Sequence, residues 1–345
     1  MDNAGFSARI ATPATLSAVE ISIWETLCAT VPHLFSPFLS FHYAHAVAEC
    51  GVDVRICILS RNGEICGFLP YQFGSRTAAW SGVAEPVGAG MTDYFGLIGA
   101  ADLRISSKQL LHHANIRYLG FSHLDEPQLG YGLRGEQPRT GLRIRLPPDA
   151  GCPLEAVLKL KQKYRKDSER CAKLLTAERG PTEFILDVED QRKSVIDNLI
   201  GQKRAQYERT NVPDSLGHAW TRALLYKLSD SRSASCRGML SNLTADGQWV
   251  ASHFGIVGNG VLQYWFPVYN QEFAKYAPGR LLLHQMIESS REASIHLVDC
   301  GEGDTPSKRV LANEEHQFFR GVWHDNSLMS YASRGFHSVK WRLKK

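Results

Sequence analysis

Between Val250 and Arg309 the chain gathers side chains that can move protons or hold anions. His253 lies in Val250-Ala-Ser-His-Phe-Gly255, where strand alternation puts it on one face with Ala251 and Gly255. An imidazole with its ordinary pKa of about 6.5 suits general-base work at neutral pH, and small neighbours leave room for a substrate. The competing role is that of a hydrogen-bonded, half-buried strand histidine. Tyr264 and Tyr269, on or just after the next run, offer hydroxyls as proton donors, although aromatic strand residues usually pack. Asp299 and Asp304 flank Gly301 and Gly303 at the end of an apolar run, where ligand sites of α/β proteins gather. A carboxylate there can position an amino group or sugar hydroxyls, and Glu302 can itself act as a base. Lys308 and Arg309 can hold an acidic group. The structural counterparts are turn-stabilising aspartates and a solvated basic pair.

The elements that must position these residues form a β-α-β unit. An aromatic and β-branched run, Val261 to Val268, leads through Tyr276-Ala-Pro-Gly279 into an amphipathic helix, and Ile295 to Cys300 follows as a strand. Pro278 suits a first-turn helix position, where its missing N–H costs nothing, and Gly279 lets a ligand approach the backbone. The opening of this helix is a candidate anion site, with Lys275 and Arg280 adding charge. Taken alone, Pro-Gly more often does no more than start a helix.

Several pieces in this order and spacing resemble the GNAT acyltransferases, and most closely the CelD/BcsL group linked to cellulose and other exopolysaccharide biosynthesis. They are Met91-Thr-Asp-Tyr94, the basic helix around Lys163-Tyr-Arg-Lys166, Val250 to Gly255, Tyr264-Trp-Phe-Pro-Val-Tyr-Asn270, Tyr276 to Gly279, and Asp299 to Asp304 with Lys308-Arg309. The resemblance spans about 154 to 323 and is thinner before that. It implies an α/β (α+β) fold of tandem GNAT-like domains, each a mixed, mainly antiparallel sheet flanked by helices. It also implies acetyl-CoA or another acyl-CoA as co-substrate, with two strands splaying around the pantetheine arm. Lys275, Tyr276, Ala277, Pro278, Gly279 and Arg280 would hold the pyrophosphate. The chemistry implied is direct attack by an amine of a sugar or secondary metabolite, in a ternary complex. His253 would be the base, backbone amides would polarise the thioester, and Tyr264, Tyr269 and Asp304 would complete the catalytic set. Asp93, Tyr94, Asp299, Glu302 and Lys308 would line the acceptor pocket. Where the family usually has Ser, this chain has Ala277, which removes a hydroxyl N-cap. Two other functions fit the same resemblance. One is an aminoacyl-tRNA-dependent transferase of the peptidoglycan-bridge type, although the long helical hairpin of those relatives is not evident. The other is a non-catalytic binding module in polysaccharide assembly.

The remaining chain is ordinary for a globular protein. Its 345 residues exceed one core and suit two domains, with 43% hydrophobic and 21% charged residues. A formal net charge of +4 fits a protein that meets anionic ligands and falls short of a nucleic-acid binder. The eight cysteines show neither C-x-x-C pairs nor metal-ligand spacing, so no metal is expected. Without a leader-like or membrane-length apolar run, the protein is expected to be soluble and cytoplasmic. Residues 1–150 read as a degenerate GNAT-like domain: two helices, then a hairpin around Asn62-Gly63. After the proline-rich boundary Leu146 to Pro153, residues 151–345 read as the acyltransferase domain. It opens with one helix from Leu154 to Ala177, and strands near 237–244, 248–257 and 261–268 follow further on.

Overall fold

The computed structural model describes residues 5–147 and 152–325; half of the expected boundary segment, residues 148–151, lies outside them. The chain divides into two compact units, residues 1–140 with 316–345, and residues 141–315.

In the first unit β1 (Phe6–Ala11), α1 (Ala18–Thr30), α2 (Phe41–Glu49), β2 (Asp53–Arg61), β3 (Glu64–Phe73), α3 (Arg76–Ser81), β4 (Val83–Ala84), β5 (Ile98–Gly99), α4 (Ser107–His113) and β6 (Tyr118–Asp125) follow one another. Helix α1 starts at a capping box in which Ser17 and Glu20 satisfy each other's backbone N–H. The Asn62-Gly63 turn, with positive φ at both residues, closes the β2/β3 hairpin as expected. One sheet has the order β1-β2-β3-β5; elsewhere in the unit β6 pairs in parallel with β4.

The second unit contains most of β7 (Gln137–Arg145), then α5 (Pro153–Leu158), α6 (Gln162–Arg179), β8 (Thr182–Ile185), α7 (Arg192–Thr210), α8 (Ala219–Asp230), β9 (Arg237–Ala245), β10 (Gln248–Gly258), β11 (Val261–Tyr269), α9 (Pro278–Glu288), β12 (Leu297–Glu302) and α10 (Pro306–Arg309). Its strands run in the order β7-β12-β11-β10-β9-β8, antiparallel throughout except for β11 with β12. The single expected helix from Leu154 to Ala177 is two. The backbone leaves helical geometry at Lys161 (φ −117°, ψ 47°), and the preceding Leu160 is 92% exposed. The α6 residues that are buried are Ser168, Cys171 and Leu175. The final strand, β13 (Glu314–His324), leaves the second unit and pairs with β6 of the first, where Trp323 is buried and its indole N–H donates to the Arg134 carbonyl (2.8 Å).

Candidate functional site

Strands β11 and β12 pair only at their starts, through Val261–Leu297, Leu262–Val298 and Gln263–Asp299. Among the described residues the β11–β12 ladder ends at Gln263, although β11 runs on to Tyr269. The cause lies on the opposite edge. Between the pairs Phe254–Phe266 and Ile256–Gln263, β11 fits two residues against the single Gly255, a bulge that bends it away. Only glycine fits at 255, because a Cβ there would stand 2.3 Å from the Gln263 carbonyl oxygen. At the bulge the Trp265 N–H donates to Nε2 of His253 at 3.1 Å, so a side chain replaces a ladder acceptor.

This geometry gives His253 a different task from the proton acceptor expected of it. The ring is fully buried and stacks on Tyr264 at 4.4 Å between centroids. Burial, and next to it the charge of Lys203, press its pKa down to about 3. The nitrogen that could take a proton is already hydrogen-bonded, and Nδ1 is buried without a partner. Burial raises the hydroxyl pKa of Tyr264, which packs against the same core.

Helix α9 begins beside this gap. Ala277 stands in left-handed geometry (φ 54°) and provides no side-chain cap, consistent with the missing hydroxyl. The Arg280 and Leu281 N–H groups bond back to the Ala277 carbonyl, and Pro278 has none to offer. That leaves the Gly279 N–H without an acceptor among the described residues. A Cβ on Gly279 would be in open contact, its nearest neighbour being the half-exposed Tyr269 ring at 3.9 Å. The structure thus brings Tyr269 and Gly279 together at the mouth of the gap. The two basic residues are engaged by α6: Lys275 with Glu178, and Arg280 with Asp167 at 2.8 Å while lying over the Tyr164 ring. Tyr276 is buried and its hydroxyl donates to Glu178 at 2.7 Å, an anchor between the turn and α6.

At the far end of β12 the expected acceptor ligands serve the backbone. Asp299 is fully buried; its Oδ2 accepts from Arg143 Nε (3.0 Å) and its Oδ1 from the Gly301 N–H (2.8 Å). Arg143 reaches on to Glu314, completing a charge network between β7 and β12. Lys308 donates to the carbonyls of Cys300 (2.7 Å) and Glu302 (2.8 Å) and so closes the strand end. The exposed Asp304 is held by Arg309 in a two-pronged pair that keeps its carboxyl below the usual range. Asp93 and Tyr94 belong to the first unit, where Tyr94 is buried against Phe35 and Phe318 with its hydroxyl 3.3 Å from His316 Nε2. Asp93 lies 3.9 Å from His123.

One residue at the gap escaped the sequence reading. Lys203 on α7 is 8% exposed and donates to the Pro267 carbonyl of β11 at 3.2 Å. Burial lowers its pKa to about 8. The signal was present, because Lys203 continues the stripe Ile196, Leu199, Ile200 at helical spacing, an apolar position filled by a charge.

Residues 162–309 match the sequence model of the family described as acetyltransferase (GNAT) domain. That segment is similar in sequence to a GNAT domain. Solved structures agree on the fold. One is a tandem GNAT protein from the clavulanic acid biosynthesis pathway, 12% identical with a TM-score of 0.52, covering 93% of this chain and 99% of that one. FemX is similar at 10% identity and TM-score 0.54, over 81% of this chain and 91% of its own. The C-terminal domain of a putative lysylphosphatidylglycerol synthetase from Agrobacterium fabrum matches at 13% identity and TM-score 0.54, over 93% and 96%. No curated protein matches the chain in sequence. The fold is therefore the mixed α/β, tandem GNAT type, with the GNAT-family match falling in its second unit. Among the described residues no helix is long and apolar enough to cross a membrane, and no cluster of metal-binding side chains occurs.

Proposed function

We propose that this protein is an acyl-CoA-dependent N-acyltransferase, most simply an acetyltransferase, acting on an amine of a sugar or secondary metabolite. The observation that carries the reading is the gap itself. A strand bulge parts β11 from β12 after Gln263, and the following helix opens beside it with an uncommitted Gly279 N–H. An extended thioester arm fits such a gap, and a pyrophosphate suits a helix N-terminus. Lys275 and Arg280 would exchange their α6 carboxylates for phosphate oxygens.

Direct attack of the amine on the thioester is the route we favour. Cys300, on β12 beside the gap, is buried and its thiol is pushed up to about 12, which suits packing and not a nucleophile. The motifs Tyr276 to Gly279 and Asp299 to Asp304 support placement in the CelD/BcsL group, and a cytoplasmic setting would supply the thioester.

Release of free CoA thiol from acetyl-CoA, followed with a thiol-reactive dye across a panel of amino sugars and other amines, tests this reading. Amine-dependent release at a rate well above thioester hydrolysis is expected. Absence of release with every amine, together with salt-sensitive retention on aminoacyl-tRNA, would favour the tRNA-dependent reading instead.

A further inference from the structure

On the reading just given, the thioester carbonyl lies along β11 beyond its last pair with β12 and needs a hydrogen-bond donor there. Two backbone positions of that stretch cannot supply it. The Trp265 N–H is taken by His253, and Pro267 has none. A strand residue's N–H and C=O point the same way, so a proline is tolerated where both face an edge without a ladder partner. Pro267 lies beyond the last β11–β12 pair, and its carbonyl holds Lys203.

Lys203 is charged and almost enclosed, yet among the described residues no carboxylate stands within ion-pairing distance of its ammonium. Its contacts are the Pro267 carbonyl and the face of Tyr207, 5.4 Å from the ring centre. An ammonium has three donors, and here only one is spent. A buried charge left so incompletely paired is costly, which points to a partner that arrives with the substrate.

We propose that Lys203 is a catalytic residue whose ammonium donates to the acyl carbonyl oxygen of the thioester, the role otherwise left to backbone amides. The amine lone pair forms the C–N bond while the carbonyl π pair moves onto oxygen, where the Lys203 N–H meets it. Re-formation of the carbonyl then breaks the C–S bond, and sulfur leaves with its electron pair as thiolate. The proton lost by nitrogen passes through solvent to sulfur, so the products are the amide and free CoA.

Calorimetric titration with free CoA, acetyl-CoA and carboxymethyl-CoA tests this. The last carries a carboxylate close to where oxyanion charge develops. Wild type is expected to prefer carboxymethyl-CoA over acetyl-CoA by about tenfold, the scale of one charge-assisted hydrogen bond. Lys203→Met should lose that preference while keeping free-CoA affinity within about threefold and a melting temperature no lower than wild type, since an unpaired buried charge has gone. Lys203→Arg should keep part of the preference. Equal affinity of wild type for the two ligands, or an undiminished preference in Lys203→Met, overturns the role of Lys203 while leaving the CoA site standing. Binding of none of the three to wild type overturns both.

Discussion

Two histidines of the second unit are held neutral by their surroundings. His253 is pressed down to about 3 and His284, on α9 with its Nε2 buried and unpartnered, to about 4, both chiefly by burial. In the unfolded chain each returns to about 6.5. Between that value and the folded one, only the unfolded state binds the proton, so stability is present above pH of about 6.5 and falls as pH drops below it. Urea melts at pH 7.5 and pH 5 should show this loss, and His284→Leu should lessen it; an unchanged acid slope in that variant would refute the assignment. The Trp265 N–H already occupies the His253 nitrogen that would accept a proton, so the ring is expected to hold the bulge and not to act as the base. His253→Gln, which keeps an acceptor for the Trp265 N–H, should retain most transfer activity and the wild-type pH profile, whereas His253→Ala should raise KM for the thioester as the bulge loosens. Loss of an acidic limb near pH 6.5 in His253→Gln would restore the histidine as base. Sequence reasoning found this position and its small neighbour Gly255, but not the hydrogen bond from the Trp265 N–H, because strand alternation says which face a ring occupies and not what its nitrogens meet.

At the scale of elements, the gap stays open because each strand beside it is fastened on its other side. Strand β11 is fastened to β10 through the bulge at Gly255, and β12 to β7 through Asp299 and Arg143. Asp299→Ala removes the buried carboxylate opposite Arg143 Nε, leaves Glu314 alone to answer that charge in this network, and should cost roughly 3–5 kcal/mol of stability in denaturant titration. A variant within about 0.5 kcal/mol of wild type would return Asp299 to a substrate-binding role. Gly201, exposed within α7 and with no neighbouring atom within 4 Å of where a methyl group would stand, offers the opposite case. Gly201→Ala should stabilise by about 0.5–1 kcal/mol, and a destabilised variant would contradict the helix there. The β-α-β unit and the β2/β3 hairpin were legible from periodicity and turn residues. The split between α5 and α6 was not, because Leu160 continues the apolar spacing although the chain turns outward at that point. Lys308 and Asp304 were placed near the strand end correctly, yet their partners are backbone carbonyls and Arg309, choices that depend on the path of the turn.

For the whole molecule, the return of β13 to the first unit means that the chain order of the units is not simply one after the other. Phe318 and Trp323 are buried there, and the boundary expected from the prolines marks a point between β7 and α5, inside the second unit. A proline-rich segment reports a break in local structure, whereas strand exchange rests on long-range pairing that periodicity does not encode. Trp323→Ala should cost roughly 3–5 kcal/mol, seen by hydrogen exchange as faster exchange of β6. The proposed function stands on acyl-CoA binding where α9 opens, and calorimetric titration of wild type and Gly279→Asp with acetyl-CoA tests it most directly. The substituted side chain has room, and a carboxylate in the first turn suits the helix, so folding should be retained. Micromolar binding to wild type and at least about a hundredfold weaker binding to the variant are expected, because a carboxylate would then stand where the pyrophosphate is held. Equal affinity for the two proteins would contradict the site, and no heat with either would contradict the use of acyl-CoA.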